Sequence, residues 1–372
     1  MKMSRVLKKQ DIIEILYGAT LLGAGGGGSL QYGLDMVEHY EKEKKNIDIE
    51  LLDIDEINDD EYAAMVAGLG SPVAMLDENL PMFGPEAVNA FRAYQKALKL
   101  ENKEVKYLYS GEMGGYNTFV PMLVSILSGD EASDRIKLVD VDGNGRAVPS
   151  LDCTLTDLRG LEPYPLGLGN WSGDEIIALP TDNKAGEVIA RQLCMAYDMR
   201  IGFATWGLNK EDMKTKGAEG YLTYAQKIGK ALFSAFENKT DLLEELKKVM
   251  EVREFCRGKI EKVDLKQVGG FDCGVTVVKD ENGKEYYVEF KNENLVLRDE
   301  SGKSYITAPD IISMVDLSTM IPLTNADTKE GMDVLVLMAP VEEKWWREDC
   351  KAYLGWMEEL RNIGFEGDQI RY

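Results

Sequence analysis

Histidine is almost missing from this chain: His39 is the single copy among 372 residues. That excludes every site built on two histidines, H-E-x-x-H zinc centres among them. A Ser-His-Asp triad would need His39 itself. It lies among Glu38, Glu41 and Lys42 and reads as a solvated surface residue. Cysteine is scarce too: Cys153, Cys194, Cys256, Cys273 and Cys350 are odd in number, scattered and never spaced C-x-x-C. They read as reduced thiols of a cytoplasmic protein. No apolar run approaches the roughly 20 residues a membrane helix needs. Met1-Lys2-Met3-Ser4-Arg5 leads into an amphipathic helix, not a signal peptide. Basic residues are outnumbered, 43 against 65 acidic, for a formal net charge of -22. Nucleic acid and anionic membranes are therefore poor partners. The charge reads first as a source of solubility.

Glycine is abundant, and one stretch concentrates it: Leu21-Leu22-Gly23-Ala24-Gly25-Gly26-Gly27-Gly28-Ser29-Leu30. A glycine run loses backbone entropy on folding and belongs where the chain takes unusual φ values or touches something closely. Upstream, Asp11 to Leu22 keeps a helical period, and Asp11 with Glu14 makes a capping-box pattern. Downstream, Leu30, Leu34, Val37 and Tyr40 share a helical face, with Ser29 as N-cap. The run should link two helices, its bare amides open to an anion or a polarised carbonyl. Gly23, Gly25 and Gly28 fit G-x-G-x-x-G, but a helix stands where the dinucleotide fingerprint needs a strand. The Gly-Lys-Ser/Thr of a Walker loop is absent.

The chain then alternates strand and helix: strands at Ile47–Ile54, Tyr62–Leu69, Val105–Ser110 and Lys137–Val141, a helix from Pro85 to Leu100, and another capped by Asn117. This alternation predicts an α/β N-terminal domain with a largely parallel sheet and helices, over residues 1–165. Prolines and glycines from Leu161 to Trp171 suggest a boundary. Residues 166–372 read as a mixed α+β domain with a β-rich portion, including a hairpin at Asp280-Glu281-Asn282-Gly283 and a final helix from Lys344 to Ile363. Gly202 to Gly207 fits a strand or a loop. Two acidic turns follow strand ends, residues 111–117 with Glu112 and Asn117, and residues 140–146 with Asp140, Asp142 and Arg146. Ligands gather outside the carboxyl ends of such strands. Carboxylates held close raise one another's pKa, bind metal, or act as acid and base. For residues 140–146, turn chemistry is an equal reading. A calcium loop is rejected, since Leu151 stands where its glutamate should be.

Taken together, Leu22-Gly23-Ala24-Gly25-Gly26-Gly27-Gly28, Gly111-Glu112-Met113-Gly114-Gly115-Tyr116-Asn117, Asp140-Val141-Asp142-Gly143-Asn144-Gly145-Arg146-Ala147-Val148-Pro149, Asn292-Glu293-Asn294-Leu295 and Ala308-Pro309-Asp310-Ile311-Ile312-Ser313 resemble the S-methyl-thiohydantoin desulfurase-like family of bacteria and archaea. Ser150 stands where that resemblance leads one to expect a glutamate. The resemblance implies two domains and an enzyme acting on hydantoin- or thiohydantoin-type rings, removing sulfur at C2 by hydrolysis. The alternative is a non-catalytic subunit or substrate-binding partner of an ATP-dependent hydantoinase/oxoprolinase. A homo-oligomer is expected. Such chemistry needs a base for water and stabilisation of charge on the ring. Glu112 or Asp142 is the expected base. Gly25, Gly26, Gly27, Gly28, Ser29, Asn117 and Arg146 are expected to bind the ligand. A divalent metal is left open. Asp140 and Asp142 would hold it, with Cys153 the nearby thiol, although Cys153 alone reads as a small buried residue.

Overall fold

The glycine run joins two helices, as its flanks require. α1 (Lys9–Leu22) buries Ile12, Ile15, Leu16 and Ala19; α2 (Leu30–Lys44) buries Leu30, Met36, Val37 and Tyr40. Asp11 stands at the third position of α1 rather than ahead of it, and its carboxylate accepts from the Lys8 amide at 2.8 Å. The helix thus starts two residues before the expected position. The computed structural model describes residues 4–70, 79–156, 163–268, 271–347 and 352–372; Ser71, Pro72, Leu161, Glu162 and Cys350 lie outside them.

The first sheet holds β1 (Arg5–Leu7), β2 (Ile49–Leu52), β3 (Tyr62–Gly70), β4 (Val105–Ser110), β5 (Lys137–Asp142), β6 (Leu166–Gly169), β7 (Glu175–Ala178) and β8 (Arg200–Leu208), in the order β1-β2-β5-β4-β3-β8-β6-β7. A short β9 (Ala218–Glu219) pairs with β5. Its centre, β2-β5-β4-β3, is parallel. The cause is the helical crossovers, α3 (Pro85–Leu100) after β3 and α4 (Phe119–Ser128) after β4. Gly202 to Gly207 falls within β8, antiparallel to β3. A buried ion pair at 2.6 Å ties Arg200 of β8 to Glu86 of α3. Strands from beyond residue 165 therefore complete the first sheet.

The second half carries α5 (Asn183–Ala196), α6 (Lys210–Lys216), α7 (Tyr221–Asn238) and α8 (Leu242–Lys247). Its sheet is antiparallel throughout: β10 (Arg253–Val268), β11 (Phe271–Asp280), β12 (Glu285–Lys291), β13 (Glu293–Asp299), β14 (Ser304–Thr307), β15 (Ile311–Asp316), β16 (Pro322–Leu323) and β17 (Asp333–Ala339). The expected hairpin turn joins β11 to β12, with Gly283 at φ 82°. The expected final helix is two pieces, a 3-10 turn at Glu343–Trp346 and α9 (Ala352–Asn362). Trp345 and Trp356 are buried and meet edge-on at 6.0 Å, so both belong to the core. That core is continuous across both halves, with Leu16, Leu22 and Ala24 in the same cluster as Leu295, Val315 and Leu337. No helix among the described residues is long and apolar enough to cross a membrane.

Candidate active site

The glycine loop forms one wall of a cavity of about 280 Å³ between the two halves. Gly25, Gly27 and Gly28 have φ of 90°, 72° and 80°, a region closed to most side chains. The loop is strapped down through its carbonyls. Ala24 O accepts from the Asn294 amide at 2.7 Å and Gly25 O from the Asn325 amide at 2.9 Å. Gly27 O accepts from the amides of Tyr116 and Asn117 at 3.3 and 3.1 Å. The amides of Gly25, Gly27 and Gly28 make no hydrogen bond among the described residues. Gly25, Gly26, Gly27, Gly28 and Ser29 all line the cavity. Ser29 holds the N-cap position of α2, but its side chain makes no capping bond.

Glu112 and Asn117 line the same cavity. Asn117 does not cap α4; Thr118 takes that position. Instead Asn117 donates to Glu112 Oε1 at 2.6 Å and accepts from the Gly68 amide at 2.9 Å. Glu112 Oε2 accepts from the Val148 amide at 3.0 Å. The carboxyl is thereby fixed while part of its surface faces the cavity. Burial pushes its pKa up to about 7, against the pull of those hydrogen bonds.

The turn at 140–146 is placed differently. Asp140 lies outside this cavity. Its carboxylate accepts from the amides of Leu222 and Thr223 at 3.0 and 3.1 Å and from the Thr223 hydroxyl. It holds the first turn of α7. Asp142 is fully buried behind the wall, with Oδ1 accepting from the amides of Asn144 and Gly145 at 2.9 and 2.6 Å. Burial pushes its pKa up to about 7. It shapes the turn that sends Asn144 to the cavity. Arg146 is fully buried and is not in the cavity lining; it donates to the carbonyls of Ala147, Pro309 and Asp310 and lies over Trp356 at 4.4 Å. It fastens the halves together. Asp140 and Asp142 do not form a metal's donor pair, because Asp140 is taken up by the Leu222 and Thr223 amides and the Thr223 hydroxyl, while Asp142 is buried behind the wall with Oδ1 held by two amides. Among the described residues no cluster of three acids, cysteines or histidines is arranged for one.

Two lining residues escaped the sequence reading. Glu293, at the start of β13, is 2% exposed and packs on Gly26. Burial, reinforced by the Glu112 charge, pushes its pKa up to about 8, and its Oε2 has no partner among the described residues. Arg191 of α5 is the other. Glu293 was visible in the sequence only as part of a family motif, since nothing local relates it to Gly26.

These shifts have a direction in stability. A carboxyl whose pKa is raised by folding favours its protonated form in the native state. The contribution is fully present below the ordinary carboxylate range and is lost as pH climbs through about 8 for Glu293. The slope is at most about 1.4 kcal/mol per pH unit for each such group. The urea midpoint should therefore fall between pH 5 and pH 8.5, and Glu293→Gln should flatten that fall. An identical slope in the variant would refute the assignment.

Fold and site define a two-domain α/β protein with an acid-lined cavity between its halves. The chain belongs to the S-Me-THD-like family: the N-terminal domain model matches residues 10–179 and the C-terminal domain model residues 181–356. A crystal structure of a protein from Chromobacterium violaceum has the same fold, with a TM-score of 0.82 and 22% identity over 99% of each chain. No curated protein matches the chain.

Proposed function

We propose that this cavity acts on hydantoin- or thiohydantoin-type rings and removes sulfur from C2 of the sulfur-bearing ring by hydrolysis, the ring staying closed. The observation that carries the reading is the meeting of two buried carboxyls, Glu112 and Glu293, from opposite halves of the chain, at one glycine loop. Their pKa values, near 7 and 8, suit proton transfer at neutral pH. Glu112 takes a proton from water as its oxygen bonds to C2 of a 2-methylthio ring. The C2–S bond then breaks. Sulfur leaves as methanethiol with the proton of Glu293, the hydroxyl proton passes to the ring nitrogen, and C2 becomes a carbonyl; the proton on Glu112 and the one missing from Glu293 are then exchanged through water. The free amides of Gly25, Gly27 and Gly28 receive the ring oxygen, where negative charge develops. Asn117 acts through Glu112, which it orients. No metal enters the scheme.

The test is thiol release from a 5-substituted 2-methylthiohydantoin across pH 5 to 10. With Glu112 as base, kcat/KM rises as pH passes about 7; with Glu293 as acid it falls beyond about 8. Glu293→Gln should abolish the fall at high pH. Absence of thiol at every pH, or a flat wild-type profile, rejects the proposal.

A further inference from the structure

Among the described residues lining the cavity, Arg191 is the only lysine or arginine, against Glu112, Glu187, Asp272, Glu293 and Asp327. Its guanidinium is held on two sides. Nε donates to Glu187 Oε1 at 2.5 Å, and Glu187 Oε2 is itself fixed by the Leu151 amide at 3.3 Å. The guanidinium lies over the Phe271 ring, 4.4 Å from its centroid. Nη1 and Nη2 make no hydrogen bond among the described residues, and the side chain stays 19% exposed. An anchored fork with both outer nitrogens free is the geometry that binds a carboxylate through two parallel bonds. A lysine in its place would offer only a point charge.

We propose that Arg191 is a specificity residue that selects rings bearing a carboxylate side chain. The inference rests on the sulfur-removal reading above and names its substrate class. The surplus of acids strengthens it. Asp272 and Asp327 on the same wall disfavour an anionic substituent there, so Arg191 is where it is seated. A ring seated there stays in the same cavity as Glu112, Glu293 and the glycine loop, because all of them line it with Arg191. An uncharged side chain leaves the fork bonded to water and gains nothing from it.

The experiment is calorimetric binding of hydantoin-5-acetate and 5-methylhydantoin to the full chain, which needs no turnover. Wild type should bind the carboxylate ring about tenfold or more tightly than the neutral one. Arg191→Gln should bring the two affinities together without weakening the neutral ring. Arg191→Lys should keep a reduced preference, and carries the test alone if the glutamine variant does not fold. Equal wild-type affinities, or an unchanged preference in the variants, overturn the role of Arg191 and leave sulfur removal standing. Failure of both rings to bind overturns both.

Discussion

Glu112→Gln should lower kcat for thiol release by about 10²–10⁴, with KM nearly unchanged. The replacement keeps size and shape but removes the oxygen that accepts water's proton. It also leaves a mismatch. Both Glu112 oxygens now accept, from Asn117 and from the Val148 amide. Glutamine offers one acceptor, so its amide group faces a donor. A buried donor left unpaired costs about 1–3 kcal/mol. Asn117 cannot simply turn round, because its oxygen serves the Gly68 amide. A modest drop in Tm should therefore accompany the loss of rate. Glu112→Ala leaves both donors, the Asn117 side chain and the Val148 amide, without an acceptor, so its Tm should fall further than that of Glu112→Gln while the loss of rate is similar. Undiminished turnover in Glu112→Gln would remove Glu112 from the mechanism and weaken the catalytic reading, whereas a changed association with a hydantoinase subunit would favour a binding role.

The second large effect is expected at a residue with no side chain. A Cβ on Gly26 would lie 2.0 Å from Glu293 Oε1 and 2.8 Å from its Cγ. Gly26 does not have the positive φ of its neighbours. Alanine therefore suits the backbone, and the three atoms nearest its Cβ all belong to the buried Glu293 side chain, which it would push toward the cavity. Gly26→Ala should cost about 1–3 kcal/mol by overpacking. It should also reduce turnover as much as Glu293→Gln does, because the acid is pushed off the loop. Adding Glu293→Ala should return most of the stability and none of the activity. Residues in direct contact show such non-additivity. Additive losses in the double variant would mean that the contact does not exist in solution.

Local signals carried much of the architecture. Tyr62 to Leu69 is apolar throughout and becomes a buried parallel strand, β3. Pro85 opens α3, and Asn282-Gly283 turns the β11–β12 hairpin. Each depends on neighbours in sequence. The failures depend on neighbours in space. Asn117 resembles a cap, but Glu112 and the Gly68 amide claim its two ends. Arg146 looks like an anion binder beside an acidic turn, yet carbonyls from residues 309 and 310 enclose it. Arg191, on an ordinary amphipathic helix, has no local mark at all. Its surroundings are made by Leu151, Glu187 and Phe271, which periodicity cannot bring together. Glycines announced that something presses on residues 25–28, but not that at Gly26 it is a carboxyl.

The straps from Asn294 and Asn325 to the carbonyls of Ala24 and Gly25 carry a lesson about biosynthesis. A ribosome must make the chain to residue 325 before the opening segment has all its supports, since Tyr116 and Asn117 hold only Gly27. Until then Ala24 and Gly25 lack the partners that fix them. Truncated products and chains cut in the second half should accordingly fail to bind a ring at all rather than bind it weakly, because the earliest-made wall of the cavity is the last to acquire its shape.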